Sequence, residues 1–315
     1  MIRFLKAIFV FLLPLLVYTI LILIFKNEIF KHPKINYNRT YLNTEKLIQL
    51  NQKPTSFILG NSRSLAITSN EWKKYLAKDE IPFHFDGSRE NIFQIRKKIE
   101  FLIDKKLKVN NLLIVLDYES INDFSNDGHI YQLHPDISNS FFNFHLNEIK
   151  PFYNIKFLSS LIIYFISNKY YDQMQGYILP EEGFEKGNYN DLIFKAENEI
   201  RSDSISYYLK AEKNNYFKIK ENFSKLKDYK KLKSELNLIN ELCTSNSINT
   251  KLIIVSPYGI ESLGDEILNV FYSIFSKNQI YDFSKDSYRF IKGNYYEFSH
   301  FRKHIGDEFL RKIYK

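Results

Sequence analysis

The chain has 315 residues, 44% hydrophobic and 17% aromatic, enough for the core of one large α/β domain or two smaller ones, and so reads as globular rather than disordered. Its 44 Lys+Arg against 36 Asp+Glu give a formal charge of +8, yet the lysines are spread and interleaved with Glu, as in Lys218 to Lys233, so nucleic acid is not implied. The single cysteine, Cys243, excludes an intramolecular disulfide and a cysteine-built zinc site.

The first element is Ala7 to Phe25 (AIFVFLLPLLVYTILILIF), an uncharged run that, at about 1.5 Å per residue, reaches across a hydrocarbon layer of about 30 Å. It is expected to be a membrane-spanning helix. No small-x-small cleavage site precedes Lys26-Asn27-Glu28, so residues 1–25 read as a retained anchor rather than a signal peptide. Arg3 and Lys6 before the run, against Lys26, Lys31, Lys34 and Arg39 after it, leave the orientation open. Residues 26–52 are polar and read as a tether, and the globular domain occupies 53–315.

In that domain, buried strands are predicted at Ser56 to Leu59, Phe83 to Phe85, Asn111 to Leu116, Thr250 to Val255 and Gln279 to Phe283. Helices are predicted at Ser69 to Leu76, Ile92 to Leu107, Tyr216 to Cys243 and Ser299 to Tyr314. Strand-helix alternation implies a parallel sheet with helices on both faces, a three-layer α/β fold. The alternation lapses at about 122–214, which reads as a helical insertion. Within it Phe157 to Ile166 is apolar but too short to cross a bilayer, so a core or interfacial helix is expected.

Ligands of open α/β sheets lie outside the carboxyl ends of the strands. One such end carries Ser62, in the stretch FILGNSRSLAI, and a serine there is either a helix cap or a nucleophile. Near the carboxyl terminus Glu297-Phe298-Ser299-His300 offers an imidazole to deprotonate it and a carboxylate to orient that imidazole, with Asp282 as the rival carboxylate. Gly87 is either a turn glycine or a backbone donor to an oxyanion, and Arg63 either a clamp for a substrate anion or a helix-surface charge. His129 and His134, beside Asp127 and Asp136, read as a solvated loop rather than a metal site. No phosphate-binding glycine loop and no G-x-S-x-G elbow occurs, and no cofactor is called for.

Gly60-Asn61-Ser62 after the first strand, with Glu297-Phe298-Ser299-His300 before the last helix, resembles the SGNH (GDSL-like) hydrolase superfamily over residues 53–120 and 216–315. The resemblance implies a flavodoxin-like sheet, Ser62 as nucleophile, His300 as base, Glu297 as its orienting acid, and an oxyanion hole from the N–H groups of Ser62 and Gly87. The family's asparagine position is filled by Glu119, in Asp117-Tyr118-Glu119-Ser120, and an ionised carboxylate donates no hydrogen bond; Asn91 or Asn122 would have to stand in. With the anchor, the likeness is to extracytoplasmic proteins that modify bacterial surface polymers. It implies a membrane-anchored acyltransferase or esterase acting on acyl esters of a surface glycan or polyol, served by a membrane-bound acyl donor protein. A non-catalytic SGNH-like module that binds a glycan or scaffolds a polymer-assembly complex and a tethered lipid esterase are the alternatives.

Overall fold

The structure is a computed structural model, and it describes residues 2–32, 39–124, 134–138, 146, 149–174, 177–178, 184–218, 226, 228–260 and 263–315. The strands are β1 (Ser56–Gly60), β2 (Pro82–His84), β3 (Asn111–Leu116), β4 (Phe184–Lys186), β5 (Leu192–Phe194), β6 (Asn249–Ile254) and β7 (Ile280–Asp282). The helices used below are α1 (Ile2–Lys31), α2 (Arg39–Gln49), α3 (Ser69–Trp72), α4 (Ile92–Asp104), α5 (Tyr118–Asn122), α6 (Pro135–Ser138), α7 (Ile155–Ser167), α8 (Ala196–Ser202), α9 (Ser204–Lys213), α10 (Tyr229–Ser245), α11 (Asp265–Tyr272) and α12 (Lys303–Ile313). The chain divides into two compact units, one of Met1–Leu42 with Ile130–Glu181 and one of Asn43–His129 with Glu182–Lys315.

The larger unit is built on a five-stranded parallel sheet of order β2-β1-β3-β6-β7. Among these strands the order is that of flavodoxin-like sheets, with the chain reversing direction of travel between β1 and β3. Near-continuous apolar runs such as Leu112 to Leu116 form central strands because both faces are covered. Ile58, Leu113, Val115, Ile253 and Val255 alternate onto one face, where Trp72 of α3 and Ile305, Phe309 and Leu310 of α12 pack on them. α4 starts at a capping box in which Asn91 and Gln94 exchange hydrogen bonds. It buries Ile92, Ile95, Ile99 and Leu102 at helical spacing, and α10 buries Leu232, Leu236, Ile239 and Cys243 likewise. Arg96 of α4 joins Glu235 of α10 at 2.6 Å. Burial pushes the Cys243 thiol up to about 11, as suits a core thiol that stays protonated at neutral pH.

Several boundaries differ from the sequence reading, each for a local reason. The last helix begins at Lys303, not Ser299, because the Glu297 carboxylate accepts the N–H groups of Ser299 and His300 and holds a turn there. The expected tether contains a helix, α2, whose Leu47 is buried. Asp265 to Tyr272, given no element in the sequence reading, is an amphipathic helix burying Ile267, Leu268 and Phe271.

In the smaller unit Tyr18 on α1 donates to the Phe152 carbonyl at 2.6 Å, and Thr19 meets the Tyr153 hydroxyl at 2.6 Å. Ile22 shares an apolar cluster with Phe152 and with Phe157, Leu161 and Tyr164 of α7, so the Phe157 to Ile166 run is a core-forming helix on one face, while Ile162, Phe165 and Ile166 are exposed on the other. Among the described residues no helix is long and apolar enough to cross a membrane.

Candidate functional site

Gly60 ends β1 level with Val115 of β3, so the segments that follow, Asn61-Ser62-Arg63 and Asp117-Tyr118-Glu119, emerge side by side at the reversal point of the sheet. Only glycine fits at 60: φ is +149°, and a Cβ there would lie 2.7 Å from the Val115 carbonyl oxygen. Asn61 then caps a 3-10 turn, Ser62–Ala66, by accepting from the Arg63 N–H at 3.0 Å. Ser62 is therefore the first residue of the turn and not its cap. Its N–H has no acceptor within the turn, and its side chain is half-exposed.

Ser62 and His300 meet. His300 Nε2 lies 2.7 Å from Ser62 Oγ, and His300 Nδ1 is hydrogen-bonded to Glu297 Oε1. Tyr296 donates to the His300 carbonyl at 2.9 Å and closes the turn that brings Glu297 and His300 together. Within it Glu297 Oε1 accepts from the His300 N–H at 2.8 Å and Oε2 from the Ser299 N–H at 3.0 Å. Burial pushes the Glu297 carboxyl up, but the His300 charge and ring N–H and the Ser299 N–H outweigh it and hold the group below the usual range. Whenever His300 is neutral, an ionised Glu297 holds its one proton on Nδ1 and leaves Nε2 to accept from Ser62. Asp282, the rival carboxylate, is engaged elsewhere, accepting from the Ser284 N–H and hydroxyl. The Phe194 ring lies against the His300 ring, 5.1 Å between centroids.

Gly87 is placed otherwise than its expected role requires. Its N–H donates to the Gly60 carbonyl at 3.1 Å, as that of Phe85 does to Ile58, so the β1–β2 pairing continues past His84 and uses the donor. Asn91 accepts from the Gln94 N–H as the cap of α4, and Asn122 lies in the last turn of α5. His129 and Asp127 lie outside the described residues. Among those described, no group of three or more His, Cys, Asp or Glu side chains is arranged to hold a metal ion.

Arg63 is neither a surface charge nor an open clamp: its side chain is 3% exposed. Nη1 lies 2.7 Å from Asp117 Oδ2 and 3.0 Å from Glu119 Oε2, Nε donates to the Ser299 carbonyl at 3.2 Å, and Nη2 to Ser299 Oγ at 2.8 Å. Burial lowers the tendency of Arg63 to hold its proton, and Asp117 and Glu119 more than restore it. Asp117, which also accepts from Asn61 Nδ2 at 2.7 Å, is held below the usual carboxylate range, because Arg63 and the Ser120 N–H overcome its desolvation.

Beneath the site lies a second serine, histidine and carboxylate that sequence reasoning missed. Ser64 Oγ is 2.9 Å from His84 Nε2, and His84 Nδ1 is 3.1 Å from Asp191 Oδ1. Asp191 also accepts from the N–H groups of Ser69 and Asn70, pinning the segment before β5 to the start of α3. All three side chains are buried. The signal in the sequence was no more than three unconnected residues, with Asp191 107 positions from His84.

Fold and site together define an α/β protein with a serine–histidine–glutamate array at the carboxyl edge of a parallel sheet. No family model matches the chain, and no curated protein matches it.

Proposed function

We propose that the protein is an SGNH-like serine esterase or O-acyltransferase, anchored in a membrane by its amino-terminal helix and acting outside the cytoplasm on acyl esters of a surface glycan or polyol. The observation that carries the reading is the Ser62 Oγ to His300 Nε2 distance of 2.7 Å, between residues 238 positions apart, in line with Glu297. In the reaction Ser62 Oγ bonds to the ester carbonyl carbon as His300 takes its proton. The bond from that carbon to the alkoxy oxygen breaks, and the proton passes from His300 to the departing alcohol. An incoming hydroxyl, from water or from the acceptor polymer, then reverses the sequence and releases Ser62. The Ser62 N–H, the first of the 3-10 turn, would donate to the negative oxygen of the intermediate.

The anchor reading rests on the uncharged Ala7 to Phe25 run of the sequence, and the exposure of Val10 to Leu16 and of Leu23 to Phe25 is in keeping with it. A membrane-bound acyl donor protein would supply the acyl group to such an enzyme. A second reading, a non-catalytic scaffold, draws on two observations: Glu119 is engaged by Arg63, and the Gly87 N–H is given to Gly60.

The deciding experiment exposes membranes containing the full chain to a fluorophosphonate probe and maps the adduct. Labelling is expected on Ser62 and is expected to vanish in both Ser62→Ala and His300→Ala, with the double variant no worse than either, because members of one catalytic unit are not additive. Unchanged acyl-ester content of the surface polymer in a strain carrying well-folded Ser62→Ala would make the scaffold the better reading.

A further inference from the structure

Arg63 belongs to the turn beside the nucleophile, and its guanidinium reaches two further segments that the site needs in register with that turn: the Asp117 to Glu119 segment after β3, and Ser299, the residue before His300. We propose that Arg63 is a positioning residue that clamps the His300 loop to the strand ends and so sets the Ser62 to His300 distance; this rests on the esterase reading above.

The clamp follows from the order of the chain. His300 arrives on a loop that reaches the site from the far end of the sequence, held by its own turn and by neighbours such as Arg302, which pairs with Glu197 at 2.9 Å. Nothing in the short pairing of Glu297 with His300 fixes either of them relative to Ser62, since both lie on the same loop. The Tyr258 N–H, just after β6, donates to the Phe298 carbonyl at 2.9 Å, and Arg63 supplies the cross-link from this loop to the Ser62 turn itself. Nε and Nη2 take the backbone oxygen and the hydroxyl of Ser299 in a two-pronged grip, and Nη1 is braced from behind by Asp117 and Glu119. A planar fork with fixed N–H directions suits this task, and an ammonium group does not. The presence of Glu119 where the SGNH pattern has an oxyanion donor is then accounted for: it is the outer brace of the clamp. Arg63 reaches no open position for a substrate anion, which separates this role from the clamp considered from sequence. Its positive charge, after that of His300, also helps keep Glu297 ionised.

The test measures the rate of fluorophosphonate labelling at Ser62, and kcat and KM for a simple aryl ester, across pH, for the full-length wild type and for Arg63→Lys, Arg63→Met and Ser299→Ala. A displacement of about 1 Å costs on the order of 10²-fold. Arg63→Lys should therefore lose about that in kcat with KM little changed and with the acid limb of its pH profile in place, because the charge is kept. Arg63→Met should lose at least as much and, lacking the charge, show its acid limb moved to higher pH. Ser299→Ala, which removes one prong alone, should fall between wild type and Arg63→Lys; it carries the test if the arginine variants do not fold. Wild-type rates and pH profiles in folded Arg63→Lys and Ser299→Ala would overturn the clamp while leaving the esterase intact. Absence of labelling in the wild type would overturn the esterase reading, and the clamp with it.

Discussion

Ser62 and Ser64 stand two residues apart, and each meets a histidine that meets a carboxylate, yet water reaches only one of them. The His300 ring is 22% exposed and the His84 ring not at all. The difference is one of placement: Ser62 opens the 3-10 turn toward the sheet edge, whereas Ser64 turns back into the core and also bonds the Asn61 carbonyl at 2.7 Å. Glu90 is a further buried group whose behaviour can be measured. It pairs with Lys98 at 2.5 Å with both side chains 1% exposed, and burial pushes its carboxyl up to about 7 despite that lysine. Its folded pKa lies above its unfolded one. Its contribution to stability is therefore fully present below pH about 4.5 and is lost as pH rises through about 7, at no more than ~1.4 kcal/mol per pH unit for one proton. Urea unfolding of the wild type between pH 5 and 8 should show this decline, and Glu90→Gln should flatten it. Equal slopes in the two proteins would remove Glu90 as its source. Ser62, His300 and Glu297 were legible because a nucleophile at a strand end and a carboxylate three residues before a histidine are local patterns. Arg63 was not: its partners lie 54, 56 and 236 residues away, and an arginine at the start of a helical turn reads as a surface charge until those partners arrive.

α12 does more than close the sheet. Its Gly306 sits so close to the Ser62 turn that a Cβ would fall 2.1 Å from the Ala66 carbonyl oxygen, a backbone atom that cannot swing aside. Gly306→Ala should therefore destabilise by at least ~1–3 kcal/mol, as overpacking does, and slow Ser62 labelling because the turn must shift. Gly293→Ala, with nothing within 4 Å of the new carbon, is the control and should be near neutral. A lowered urea midpoint in the first variant only is the expected result; equal midpoints would deny the close approach. At this scale the five strands of the parallel sheet were read well from sequence, Asn111 to Leu116 to the residue, since an unbroken apolar run bounded by polar residues has few other homes in an α/β chain, whereas the β4–β5 pair lies in the stretch expected to be a helical insertion. Helix starts were read less well. The α12 boundary depends on side-chain hydrogen bonds within the Glu297 turn, which hydrophobic periodicity does not register.

The anchor reading and the sheet-bearing unit make different demands on the chain. If α1 holds the protein in a bilayer, alkaline carbonate should leave the full chain in the membrane pellet, and a carboxyl-terminal alkaline phosphatase fusion should be active. Release by carbonate, or an inactive fusion that is stably made, would count against the reading. The insertion expected at 122–214 is not one piece. Its Ile130–Glu181 portion groups with the amino-terminal helix, while β4, β5, α8 and α9 belong with the sheet, where Phe194 reaches the His300 ring. By itself the sequence determined the alternation of strands and helices, the apolar amino-terminal run and the three residues of the array, because each is carried by neighbours in the chain. Only the tertiary structure decided that Gly87 gives its N–H to β1, that Glu119 and Asp117 brace a buried Arg63, and that a second serine–histidine–aspartate chain lies sealed beneath the first. In each of these the energy lies in pairing polar groups within a core that water does not enter, and the partner is chosen by the fold rather than by position in the chain.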